Sequence, residues 1–472
     1  MSRLGARMVH ARFLPSAILV AMTILGSAGR TRGAEVETVI QSWGRELNPP
    51  RVGEQSEPPV AGQKASEAVG ARKELKGYTL PPEKYAQAVR YSRAQYRLYF
   101  IGVAYELLIL LAVLGGRVAP RLRNLAEGAS PRRLLQVVVY APLLLGVLGV
   151  LGLPVEIYGH RLSLDYQQSV QGWASWFWDW AKGQFLQIVA GTFLAWILYG
   201  IMRRSPRGWW LYFWLASIPL VVFLLFIAPV IIDPLFYKFE PLARTQPALV
   251  EEISKVVAHG GLRIPPDRMF EMKASEKLNA VDAYMTGLGA SQRVVVWDTT
   301  ISKMTVPETL SVFGHEMGHY VLRHISKGIA FFCGLLFAFL YVGFRGLAWT
   351  LARWGTRWDI RSADDWASLP ILLMLVSLFS FFASPITNGF SRYQEHQADV
   401  YGLEVIHGLV PNSQQVAAEA FQVLGEIDLA DPSPSPFIKL WLYSHPPLSE
   451  RLAFALSYDP WSKGQPPEFV KQ

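Results

Sequence analysis

Five long apolar runs constrain this chain more than any other feature: residues 98–116, 134–153, 184–202, 209–232 and 368–388. At 1.5 Å of helical rise per residue each reaches about 30 Å, enough to cross the hydrocarbon core of a bilayer. A sixth run starts at Gly328 and becomes a span near 328–348 if Arg345 snorkels to the interface. With 51% apolar and only 17% charged residues over 472 positions, the chain is too apolar for an ordinary soluble protein. Helices buried in a soluble core would not need Trp209 and Trp210 at the edge of a run, or arginine doublets just outside others. The expected architecture is mainly α, a polytopic transmembrane helical bundle.

Charge follows the same logic. The formal net charge is +8, but its arginines sit in short loops and no basic face with interleaved aromatics accompanies them. The lipid bilayer is therefore the expected partner and nucleic acid is not. The arginine clusters fall in 117–133, 203–208 and 350–367, which alternate along the chain and should face the cytoplasm. Residues 154–183 and 233–327 should then face outward, with the aromatic stretch Trp173 to Trp180 as an interfacial belt. Residues 1–29 read as a signal peptide, with an uncleaved first span as the alternative. A flexible extramembrane segment is expected over 30–97, four spans over 98–232, and a catalytic region with two further spans over 233–472.

Cys333 is the sole cysteine and lies in an apolar run, so any metal must sit on His, Asp or Glu. Residues 313–324 read FGHEMGHYVLRH. Residues four apart share one face of a helix, so His315 and His319 can hold one metal while Glu316 points to the edge of the same pocket. Thr305 and Glu308 form a capping pattern, with Pro307 in the first turn, so the helix has a defined start. A catalytic zinc keeps three protein ligands and one open position, so another element must add a carboxylate or a histidine. His324 is a poor candidate, because Leu322 occupies the glycine position of the H-x-x-G-x-x-H arrangement and His324 falls one residue short. Glu395 is the better third ligand, and Asp399, one turn on, can accept the free ring N–H of a ligand histidine.

One Zn2+ held in this way lowers the pKa of a water to about 7, and Glu316 can take its proton as a carbonyl is attacked. The oxygen that turns negative needs a further donor, for which His445 in YSHPPLSER is the candidate.

These residues, with LPPEKYAQAVRYSRAQYRLYF, DPLFYKFEPL, NAVDAYMTGL, RVVVWDTT and SRYQEHQAD, resemble the integral-membrane zinc metallopeptidases typified by the CAAX prenyl protease. The resemblance covers nearly the whole chain. It implies a helical chamber carrying a small α+β gluzincin domain, with zinc on His315, His319 and Glu395, Glu316 as base and Asp399 behind the ligands. It further implies that His445 and Arg451 lie near the site, and that Ala283 to Leu288 form an edge strand where a peptide substrate could add. Asp282, before Ala283 and Tyr284, departs from the asparagine expected in such proteins. Two further features depart from the prenyl protease: the signal-like start suggests a bacterial inner membrane, and the arginine pattern puts the site on the non-cytoplasmic side.

The expected function is a zinc-dependent membrane endopeptidase acting on peptides or on membrane-associated or misfolded proteins. A transporter lined by Glu106 and Arg345 is a rival, but Glu106 is alone in its run and no paired broken helices suggest inverted repeats. A catalytically silent client-binding protein is the other rival, and the intact His315, Glu316, His319 and Glu395 argue against it.

Overall fold

The computed structural model describes residues 75–287 and 292–470, so the expected signal peptide at 1–29 lies outside the described residues. The described chain starts its first helix, α1, at Pro82 and runs to Gly115. Residues 82–97, expected to be flexible, are thus helical. The reason is a second apolar and aromatic stripe among the charges: Ala88, Tyr91 and Leu98 are buried and pack against Leu162 and Leu429.

After α1 come a short amphipathic helix α2 (Val118–Ala129), then α3 (Arg133–Asp165), α4 (Trp173–Arg204) and α5 (Trp209–Ile227). Two more long apolar helices, α10 (His324–Trp354) and α11 (Leu369–Ile406), lie further along. Among the described residues, α1, α3, α4, α10 and α11 are long and apolar enough to cross a membrane. Over the run expected to span at 209–232, the apolar helix α5 continues directly into a π-helical turn over Ala228–Ile232. In the most apolar window of α10 only 11% of residues are buried within the protein, an arrangement that lipid tolerates and water would not.

The arginine-rich loops meet at one end of the bundle. Arg123 of α2 reaches Asp365 at 2.7 Å and Asp359 at 3.1 Å, Arg361 reaches Glu127 at 2.8 Å, and Arg203 lies 3.7 Å from Asp364. Behind them Tyr140, Tyr199 and Trp366 are fully buried in the main membrane core.

At the other end lies the smaller α+β part. Its sheet has the order β1 (Phe239–Pro241), β2 (Met269–Met272), β4 (Arg293–Trp297), β3 (Ala283–Thr286), with β2 and β4 parallel and the outer pairs antiparallel. Strand β3 stands at the sheet edge, as expected; Leu288, the expected end of that strand, lies outside the described residues. Between β1 and β2 lie α6 (Leu242–Thr245) and α7 (Pro247–His259), and β4 leads through α8 (Asp298–Lys303) into α9 (Val306–Val321). Three helices close the chain: α12 (Ser413–Ile427), α13 (Pro436–Leu442) and α14 (Leu448–Ser457).

Candidate active site

Helix α9 begins on the expected capping box. The Thr305 N–H donates to Glu308 at 2.7 Å and the Glu308 N–H donates to the Thr305 hydroxyl at 3.4 Å, satisfying two N–H groups that the first turn would leave unpaired. This start fixes the phase that turns His315 and His319 toward α11.

Glu395 and Asp399 were expected one turn apart on a second helix, beyond the run at 368–388. They stand on α11, one helix of 38 residues, about 57 Å long at ordinary rise, that includes this run and extends from the arginine-rich end to the site. Its approach to α9 is close because three glycines line the crossing. A methyl group on Gly402 would stand 2.9 Å from the backbone nitrogen of His315, one on Gly314 would stand 3.2 Å from the Gly402 carbonyl oxygen, and one on Gly318 would lie 3.2 Å from the Ala398 Cα. Sequence reasoning missed these contacts, although the spacing of Gly314 and Gly318 is the small-xxx-small pattern of tightly crossing helices.

The crossing brings His315, His319 and Glu395 together as a group able to hold a metal ion. His315 Nε2 lies 3.2 Å from His319 Nε2 and 3.3 Å from Glu395 Oε2, and His319 Nε2 lies 3.6 Å from Glu395 Oε1. Donors bonded at about 2.1 Å around a tetrahedral ion stand about 3.4 Å apart, so these spacings and the two-nitrogen, one-carboxylate set fit such an ion. Glu395 is 1% exposed, and a carboxylate so deeply buried needs positive charge beside it.

Asp399 lies behind this group. Its Oδ1 is 2.8 Å from His315 Nδ1, and its Oδ2 accepts from Arg451 Nε at 2.9 Å. An imidazole that turns Nε2 to a metal carries its hydrogen on Nδ1, so His315 donates to Asp399. Arg451 Nη2, 3.2 Å from the same Nδ1, therefore acts on Asp399 rather than as a donor to His315. Burial and the nearby Arg451 oppose a charge on His315, but Asp399 and Glu395 outweigh them and its pKa rises to about 9 when no metal is present. Burial likewise opposes the charge of Arg451, and Asp399 more than restores it. The guanidinium is clamped on its other face by the Phe421 ring at 4.4 Å.

His445 Nε2 stands 3.2 Å from Glu395 Oε2, within the site as expected. Its loop is held from α11: Asn388 Nδ2 donates to the Trp441 carbonyl at 2.7 Å, and Arg392 donates to the carbonyls of Lys439 and Tyr443 at 3.0 and 2.5 Å. Arg392 is a residue that sequence reasoning passed over, though it sits three positions before Glu395.

A recess opens beside the group, lined by Asp282, Ser311, Glu316, His445 and Arg451 on its polar side and by Met304, Phe421 and Leu424 among others. Asp282 thus reaches the site. The side chains of Ala283 and Tyr284 do not line it: Ala283 packs into the main core of the α+β part and Tyr284 into a second cluster across the sheet. Of the two residues named for the transporter reading, Glu106 accepts from Ser377 at 2.5 Å and Arg345 is exposed on α10.

Comparison with known proteins gives the same picture. Residues 243–459 match peptidase family M48, and residues 65–238 match the CAAX prenyl protease N-terminal region, described as five membrane helices. A Bacillus subtilis (strain 168) protein named uncharacterized metalloprotease YhfN is 35% identical over 376 residues, covering 80% of this chain and 86% of its own. CAAX prenyl protease 1 of Saccharomyces cerevisiae is 25% identical, over 80% of this chain and 86% of its own. The crystal structure of S. mikatae Ste24p superposes with a TM-score of 0.68 at 22% identity, over 84% of this chain and 94% of that one, a likeness of fold.

Proposed function

Because the chain belongs to peptidase family M48 and is a multi-pass membrane metalloprotease related to the CAAX prenyl proteases, we propose that it is a zinc endopeptidase whose general base is Glu316. The observation that carries this reading is the convergence of His315 and His319 from α9 with Glu395 from α11, beside a recess that Glu316 also lines.

Zinc, when bound, supplies a Lewis acid that polarises a carbonyl and brings the pKa of a water near 7. Glu316 takes the proton of that water and later delivers it to the leaving amine. His445 donates to the oxygen that turns negative as the carbonyl is attacked. Asp399 and Arg451 hold His315 in one ring orientation and one tautomer. Strand β3, which follows Asp282 and is the last strand of the sheet, is where an extended peptide would add through main-chain hydrogen bonds. The substrate class is peptides of membrane-associated or misfolded proteins, reached from within the walls of the helical bundle.

The site lies at the end of the bundle away from the clustered arginines, which supports placing it on the non-cytoplasmic face of a bacterial inner membrane. Zinc content and hydrolysis of a quenched peptide library, measured on detergent-purified wild type beside Glu316→Ala, test the reading. About one zinc per chain is expected in both, with hydrolysis by the variant down by at least about 10²-fold. A wild type that takes up no metal would sink the site assignment, and a variant that cuts as fast would sink the role of Glu316.

A further inference from the structure

The two histidines of α9 are supported differently. His315 rests on Asp399, whereas no carboxylate ion pair reaches the far side of the His319 ring among the described residues. What stands there is His324, the first residue of α10, 1% exposed, with its Nδ1 3.0 Å from His319 Nδ1. The chain reaches this position by a sharp junction: α9 ends at Val321 and is capped by Leu322, Arg323 takes a left-handed conformation at φ 55°, and α10 begins. A left-handed arginine costs about 1–2 kcal/mol, which the surrounding packing must offset.

The hydrogens along this contact can be assigned by elimination. With His319 Nε2 turned toward His315 and Glu395, His319 Nδ1 carries the hydrogen and donates. His324 Nδ1 must then accept, which leaves its hydrogen on Nε2, and there Gln397 Oε1 lies 3.3 Å away as an acceptor. Gln397 in turn donates from Nε2 to the Tyr393 hydroxyl at 3.3 Å, and the His324 carbonyl accepts from Gln394 at 3.2 Å. Every contact in the chain has one donor and one acceptor. From the metal-site reading above, we infer that His324 is a positioning residue: it fixes the tautomer and ring orientation of His319 for the metal, as Asp399 does for His315, and ties the first turn of membrane helix α10 to the site.

The test measures zinc affinity of the detergent-solubilised full chain by chelator competition for wild type, His324→Ala, His324→Asn, Gln397→Ala and His315→Ala. Absorption of the cobalt-loaded proteins and the thermal midpoint of each metal-free variant are read alongside. Loss of a group that orients a ligand typically lowers metal affinity about 10–100-fold. That loss, with a shifted cobalt spectrum, is expected for His324→Ala. His324→Asn, whose side-chain oxygen can accept where Nδ1 did, is expected to recover most of the affinity, and Gln397→Ala to lose roughly a few-fold. Wild-type affinity in His324→Ala would overturn the inference. So would an Asn variant as weak as the Ala variant at equal thermal midpoints, because packing alone would then explain the loss. Should both His324 variants fail to fold, undiminished affinity in Gln397→Ala overturns it and a weakened one supports it. A wild type without zinc affinity, or a His315→Ala variant that keeps it, would instead defeat the metal-site reading on which the inference rests.

Discussion

Two buried arginine–aspartate pairs stand at opposite ends of the path of α11, and they are alike in chemistry and different in use. Arg123 and Asp365, with side chains 4% and 2% exposed, join α2 to the turn before α11 at the arginine-rich end; Arg451 and Asp399, 8% and 2% exposed, join α14 to α11 at the other. Around Asp365 every further partner is structural: the Arg361 N–H donates to it at 2.9 Å, and the Ala367 N–H at 3.1 Å starts the turn into α11. Around Asp399 the further partner is His315. A buried ion pair is weak grounds for stability, because desolvation cancels much of the attraction. The contrast teaches that the first pair ties α2 to the turn before α11, while the second orients a histidine of the proposed metal site.

The largest effect expected from this contrast comes from replacing each pair by apolar residues of similar size. In Arg451→Met/Asp399→Leu the fold should hold, while zinc affinity falls about 10–100-fold and activity at limiting zinc falls with it. In Arg123→Met/Asp365→Leu the thermal midpoint should fall, because the N–H groups of Arg361 and Ala367 lose their acceptor, while zinc affinity and activity of the folded protein should match wild type. Chelator competition and thermal unfolding of the two double variants measure both. Equal losses of zinc affinity in the two would erase the distinction.

A second difference along α11 concerns how closely other helices approach it. At the site the contact is backbone to backbone, at Gly402 against His315; in the membrane a methyl group on Gly343 of α10 would meet Phe379 at an ordinary 3.7 Å. Gly402→Ala should cost about 1–3 kcal/mol of stability by overpacking, and it should push His315 away from Glu395. Its zinc affinity is expected to fall roughly in line with that strain, by about tenfold, while Gly343→Ala leaves both stability and affinity unchanged. Wild-type zinc affinity in Gly402→Ala would show that the close crossing does not set the ligand geometry.

Much of this was legible in the sequence, for reasons that differ by region. Apolar runs announce spans because lipid leaves a helix no other solution, and the T-x-x-E cap and the four-residue spacing of His315 and His319 are local rules of one helix. Glu395 was reachable because a third ligand was chemically required. The start of α1 at Pro82 was hidden by charged residues on its outer face. Gly402, Arg392 and the placement of His324 depend on how α11 crosses its neighbours, which is tertiary information. His324 shows the limit most clearly: the spacing argued against it as a third ligand, but could not place it behind His319.

The smallest effect expected concerns the way the site end of α11 holds its surroundings. Arg392 does not touch the metal-binding group; it donates to two carbonyls where α13 gives way to the loop bearing His445. Those carbonyls lie at a helix C-terminus, where positive charge is favoured, so Arg392 both satisfies and attracts them. If His445 contributes its donor only in the transition state, loosening its loop should lower kcat and leave KM and zinc affinity nearly unchanged. Arg392→Ala is expected to lower kcat on the order of a few-fold, since the loop keeps its bond to Asn388 and the Tyr96–Tyr443 contact at 2.6 Å. Arg392→Lys, which can reach one carbonyl but not both, should fall between. His445→Ala sharpens the comparison: combined with Arg392→Ala it should be no slower than His445→Ala alone, because the arginine acts through the histidine. Losses that multiply in the double variant would show that Arg392 serves the site by another route.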